Sequence, residues 1–100
     1  MKKWMVLFLI CSIFFIGFST TAFAAEKKIK AGFVYVGPVG DYGWSHAHDM
    51  GRKFAEEKFP WLETIIVESV GEADSARIID RLIQQQKCDV VFTASFGYME

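Results

Sequence analysis

The sequence is short of cysteine, of excess positive charge and of nucleotide-loop motifs. Two cysteines occur in 100 residues. Cys11 lies inside an apolar run at the amino terminus, which leaves Cys88 as the one thiol beyond it. One thiol closes no disulfide within the chain, so a disulfide-stapled scaffold is excluded. Cys88 precedes an apolar, strand-like run and reads as a buried, inert thiol. Beyond residue 24, nine basic residues face twelve acidic ones. No basic patch forms, which argues against nucleic acid as a partner. No Gly-Lys-Ser or Gly-Lys-Thr occurs, so a phosphate loop of that type is absent. Gly37, Gly40 and Gly43 are spaced G-x-x-G-x-x-G, and Pro38 removes a backbone donor among them. That spacing departs from the dinucleotide fingerprint, with Glu68 as a weak match to its acid. His46 and His48 are two apart and diverge by about 200° on a helix, so they do not grip one metal. No cofactor or metal is implied, and no internal repeat or low-complexity segment is present.

What is abundant is apolar surface, and it is unevenly spread. The AVILMFWYC residues make up 52% of the chain, yet 17 of them fall in residues 1–24. The rest of the chain is about 46% apolar, ordinary for a globular protein. Lys2 and Lys3 precede an apolar stretch from Trp4 to Phe18. Ser19, Thr20 and Thr21 then lead to Ala22-Phe23-Ala24, with Ala25 following. A positive start, a short apolar core and a small-x-small end form the layout of a secretory signal peptide. Residues 1–24 are therefore expected to be cleaved, and residues 25–100 to be exported. Cys11 follows Ile10 rather than a small residue, which argues against lipidation there.

The remainder alternates strand and helix signals. Lys30 to Val36 is a β-branched and aromatic run ended by Gly37-Pro38, and reads as a buried strand. A helix is expected from Trp44 to about Phe59, with Ala47, Met50, Gly51, Phe54 and Ala55 on one face. Arg52, Lys53, Glu56 and Glu57 fall on the expected wet side, and His48 and Asp49 are expected at the surface. Pro60 stops this helix. Glu63–Val67 reads as a second strand. Residues 71–87 read as a second helix, with Ala76, Ile79 and Ile83 on its buried stripe and Leu82 beside it. Glu72 and Asp74 suit the positive end of its dipole. Asp89–Thr93 reads as a third strand. The order βαβαβ calls for parallel strands and right-handed crossovers. Two helices are little cover for both faces of such a sheet, so residues 25–100 read as the amino-terminal part of a longer protein.

In an open α/β sheet, ligands sit beyond the carboxyl ends of the strands. The loops there carry Asp41, Tyr42, Trp44, Ser45, Ser95, Phe96 and Tyr98. Aromatic faces with one carboxylate suit a flat ligand that donates hydrogen bonds, such as a purine. The plainer alternatives are that Trp44 and Phe96 plug the core beneath their loops, and that Asp41 caps the first helix. No Ser-His-Asp or Cys-His arrangement is ordered by the sequence.

Four segments carry a resemblance: Phe33-Val-Tyr-Val-Gly-Pro-Val-Gly-Asp-Tyr-Gly-Trp44, His48-Asp-Met-Gly-Arg52, Val67-Glu-Ser-Val70 and Thr93-Ala-Ser-Phe-Gly-Tyr-Met99. Over residues 30–100 the chain resembles the basic membrane protein family of ABC-transporter substrate-binding proteins, in particular the purine nucleoside receptors. The resemblance implies a type I periplasmic-binding-protein fold, a Rossmann-like parallel sheet of which this chain is the first lobe only, and incomplete. It implies a non-enzymatic, monomeric receptor that closes on a purine nucleoside or base and delivers it to an ABC permease, in the periplasm or at the outer face of the plasma membrane. The family's first loop places an Asp, two further residues, then Phe-Asn. Asp41 matches the Asp and Trp44 the aromatic, while Ser45 stands where Asn is usual. A shorter hydroxyl makes fewer hydrogen bonds to a sugar, which points to a free base as readily as to a nucleoside. A sensory domain of a membrane receptor and an exported α/β enzyme are the competing readings.

Overall fold

A computed structural model describes residues 27–99. The expected signal peptide, and the boundary after residue 24, lie outside the described residues. Strand β1 is Ile29–Val34, helix α1 is Trp44–Lys58, and strand β2 is Leu62–Val67. Helix α2 is Ser75–Gln84, and strand β3 is Val90–Thr93. Short 3₁₀ turns at Val39–Asp41, Glu72–Asp74 and Phe96–Tyr98 follow the three strands. The α/β class and the βαβαβ order match the sequence reading. Strand β1 ends two residues earlier than its apolar run, because Val36 and Gly37 already belong to the turn.

The three strands are parallel, in the order β2-β1-β3. Phe33 of β1 sits between Ile66 of β2 and Phe92 of β3. With β1 central, the loops after β1 and β3 are neighbours at one edge, as a doubly wound order requires. Side chains alternate across the sheet. Gly32 and Val34 point to one face, and Ala31, Phe33 and Tyr35 to the other.

Helix α2 covers the first face. Val34, Val70, Ile78, Leu82, Cys88 and Tyr98 form a buried cluster, with Ile65, Val67 and Val91 packed against it. Side chains press on the strand backbone here: a Cβ on Gly32 would stand 3.0 Å from Leu82 Cδ1 and 3.3 Å from Cys88 Sγ. The buried stripe of α2 is Ser75, Ile78 and Leu82, one position off the expected Ala76, Ile79 and Ile83. The offset follows from Cys88 and Gly32, which leave room for Leu82 rather than for Ile83. Cys88 is buried as expected, and burial pushes its thiol pKa up.

Helix α1 lies on the second face and corrects a larger expectation. Its buried residues are Ser45 and Asp49, and Arg52 is half-buried beneath it. Met50 and Phe54, expected in the core, stand exposed. The helix meets the sheet along Ser45, Asp49, Arg52 and Glu56, an i, i+4, i+7, i+11 stripe that is wholly polar. Tyr35 Oη donates to Asp49 Oδ1 at 3.4 Å. Arg52 Nε reaches Asp49 Oδ1 at 2.7 Å, and Arg52 Nη1 reaches Glu56 Oε2 at 2.9 Å and Thr64 Oγ1 at 2.7 Å. Thr64 Oγ1 donates to Glu56 Oε2 at 2.8 Å, and Lys53 Nζ stands 3.3 Å from Asp49 Oδ2. Hydrogen-bond partners on the strands are what turn the polar side inward.

Candidate functional site

The first loop folds as it does because its ends are tied down. Tyr35 N donates to Val67 O, and Val70 N donates to Tyr35 O, so the loops after β1 and β2 start in register. Gly37 N donates to Ser45 Oγ at 3.1 Å. Val39 N donates to Glu68 Oε1 at 2.8 Å, which occupies the acid that a dinucleotide ribose would need. After the 3₁₀ turn, Tyr42 adopts a left-handed conformation at φ 53°. That reversal aims the chain into α1 and throws the Tyr42 ring outward.

Asp41 caps the helix. Its Oδ1 accepts from Gly43 N at 2.7 Å and from His46 N at 3.2 Å. These bonds, that from Gly43 foremost, hold the carboxyl below the usual carboxylate range. The capping role is therefore present, and the carboxylate is also exposed. His46 is fixed as well: its Nδ1 lies 3.0 Å from Val39 O. A carbonyl only accepts, so Nδ1 carries the proton in this bond.

Trp44 joins the two loops. It is 62% exposed, and its Nε1 donates to Ala94 O, at the end of β3, at 2.6 Å. Phe96 and Tyr42 are each 85% exposed. None of the three is buried among the described residues. Tyr42 and Trp44 belong to the loop and helix start after β1 and Phe96 to the turn after β3, both at the carboxyl edge of the sheet. Tyr42 lies tilted against His46 and Trp44 meets His48 edge-on, each at 4.9 Å between ring centroids. Ser95 is half-buried, and its Oγ accepts from Gly97 N at 3.3 Å. Exposed rings suit contact with a flat or ring-shaped molecule. No cluster of three or more His, Cys, Asp or Glu residues suited to a metal ion occurs among the described residues.

Two expected ligand residues are placed elsewhere. Tyr98 is 8% exposed, and its hydroxyl donates to Val70 O at 2.6 Å within the α2 core. Burial raises its pKa. An amphipathic ring so close to the core boundary buries its body and spends its hydroxyl on a backbone carbonyl. Ser45 is buried and holds Gly37, so it braces the loop rather than facing out. Asp49, expected at the surface, is 3% exposed. Burial pushes its carboxyl up, but Arg52 and Lys53 more than offset that and leave it below the usual range. Arg52 is likewise pulled down by burial and raised overall by Asp49. Burial beside the Asp49 charge pushes Tyr35 up to about 12. Tyr35, Asp49 and Thr64 were the residues that sequence reasoning missed. For Asp49 the available signal was a second helical stripe, polar and spaced i, i+4, i+7, i+11; Tyr35 and Thr64 carry no local signal.

No family model matches the chain. The chain is 45% identical over 78 residues to a purine-binding protein of Brucella abortus (strain 2308), an overlap of 76% of this chain and 22% of that protein. It is 40% identical over 74 residues to a Haloferax volcanii protein provisionally named an ABC transporter glucose-binding protein, an overlap of 74% of this chain and 19% of that one. The chain spans about a fifth of the length of these curated relatives. Both relatives are named for binding rather than for a reaction.

Proposed function

We infer that this relative of the two binding proteins is part of the first lobe of an exported solute receptor of an ABC import system, in the basic membrane protein family, with a purine nucleoside or base as ligand. The observation that carries the reading is the exposure of three rings, Tyr42, Trp44 and Phe96, on the segments that follow β1 and β3, with an exposed Asp41 carboxylate on the first of them. Exposed rings on a braced loop gain most by stacking, and a purine offers a face of matching size. Asp41 Oδ1 is engaged by two backbone N–H groups, and a carboxylate has acceptor sites to spare for a ring N–H or an amino group. A second lobe, outside this chain, would supply the opposite wall. Closure of the two walls would be a population shift toward the state in which both contact the ligand. A permease in the membrane would receive the ligand from the closed form.

The Haloferax relative's name favours a second ligand, a hexose, whose apolar ring face also packs on aromatic side chains. Thermal unfolding of the whole protein separates the two. A ligand present at about 100 times its Kd stabilises the folded state by about 2.7 kcal/mol. The purine reading expects a raised midpoint with at least one of adenine, adenosine, guanosine and inosine, and none with glucose. A shift with glucose alone would transfer the site to sugars. An unchanged midpoint with all five would remove the purine assignment.

A further inference from the structure

We propose that the polar seam beneath α1 is a positioning device for the ligand-facing wall, with Asp49 and Arg52 as its positioning residues. A helix seated on apolar contacts is held by a force without direction. A helix seated on hydrogen bonds is held in one rotation and one height, because those bonds weaken steeply with distance and angle. Helix α1 takes the second course throughout. Ser45 is tied to the backbone of Gly37, Asp49 to Tyr35, and Arg52 and Glu56 to Thr64. These anchors lie on the first loop, at the end of β1 and on β2, so the seam spans the sheet from its centre to one edge. The seam is complete: no buried side-chain nitrogen or oxygen among the described residues lacks a partner. A fully satisfied polar network specifies one arrangement. A buried ion pair is a weak source of stability compared with an apolar contact of the same size.

What the seam places is the site. Trp44 is the first residue of α1 and adjoins Ser45, the top of the seam. Asp41 is bonded to the first turn of the same helix through His46. Tyr35 immediately precedes the loop that carries Asp41 and Tyr42. A rotation or slip of α1 therefore moves Trp44 and Asp41 together, and loads the bond from Trp44 to Ala94. The link to binding rests on the solute-receptor reading above.

The test uses the whole protein in three variants. Asp49→Asn weakens the seam at its centre. Thr64→Val removes its anchor on β2, and carries the same comparison if Asp49→Asn does not fold. Ile78→Val loosens the core on the opposite face as a control. Two readouts are taken well below the unfolding temperature: the ¹⁹F resonance of Trp44 in ligand-free, 5-fluorotryptophan-labelled protein, and the Kd and stoichiometry for the tightest purine. The seam variants are expected to shift or broaden the Trp44 resonance. They are expected to weaken purine binding about ten-fold at unchanged stoichiometry, the scale on which residues that couple to a site without touching the ligand act. Ile78→Val is expected to lower the melting temperature and leave both readouts alone. Seam variants that melt earlier, with resonance and Kd unchanged, would overturn the proposal and leave the seam purely structural. A responsive Trp44 resonance in a protein that binds no purine would uphold the positioning role and overturn the ligand reading instead.

Discussion

Replacing Trp44 with Ala separates a residue that contacts a ligand from one that supports the fold. The indole is 62% exposed, so truncation opens little cavity. It deletes the bond from Nε1 to Ala94 O, worth about 1 kcal/mol net. It also deletes the edge contact with His48, worth about 0.5–1 kcal/mol. The whole protein should therefore lose about 1–2 kcal/mol of stability from these two contacts and remain folded. The effect on binding should be larger. Stacking of a base on an aromatic ring is worth about 1–3 kcal/mol, which is about a 5- to 150-fold rise in Kd for a purine. Trp44→Phe keeps a smaller flat face and loses the N–H, so it should recover part of the affinity while keeping the stability deficit of the lost hydrogen bond. Titration calorimetry and thermal unfolding on the same preparations read the two effects separately. A Trp44→Ala protein that fails to fold would make the indole a structural plug. One that folds and binds purines as tightly as the parent would remove Trp44 from the site.

Four further outcomes follow from the geometry. Asp49 has a folded pKa below its unfolded value, so the unfolded chain takes up the proton first. The stability it contributes is present above about pH 4 and is lost as the pH falls through the folded value; Asp49→Asn should flatten that acid limb in denaturant titrations. Tyr35 is raised to about 12, so its contribution should hold up to the ordinary tyrosine value near 10 and be lost as the pH rises from there toward 12. Tyr35→Phe should remove that alkaline slope, and an unchanged slope would contradict the buried contact with Asp49. Tyr98→Phe leaves the carbonyl of Val70 without its partner and should cost about 1–3 kcal/mol in unfolding experiments, with purine affinity untouched. Gly32→Val places a branched side chain where Leu82 and Cys88 already approach, and should cost about 1–3 kcal/mol by overpacking; a neutral melt would deny the close approach.

The path of the chain was open to sequence reasoning because its signals are local. Gly37-Pro38 and Pro60 end elements by their own backbone chemistry, and the β-branched runs at Val34, Ile65 and Val91 leave little choice but strand. The topology followed from those elements and the handedness of crossovers. The faces of the helices were harder. Apolar periodicity assigns Met50 and Phe54 to the core by default. Nothing local to α1 says that Tyr35 and Thr64, distant in sequence, offer hydrogen bonds to the opposite stripe. Helix α2 was missed by one position for a similar reason, since the space left by Gly32 is a property of the partner strand. In the site, Trp44, Phe96 and Asp41 were legible as loop residues at a strand end. Tyr98 was not, because three positions in a tight turn point in different directions, and Val70 decides which of them goes inward.

The most direct test of the ligand-binding claim is calorimetric titration of the whole protein with adenine, adenosine, guanosine, inosine and glucose. Saturable one-to-one binding of at least one purine, weakened by Trp44→Ala and unmatched by glucose, is the expected result. Heat of binding from glucose alone, or from none of the five, would contradict it.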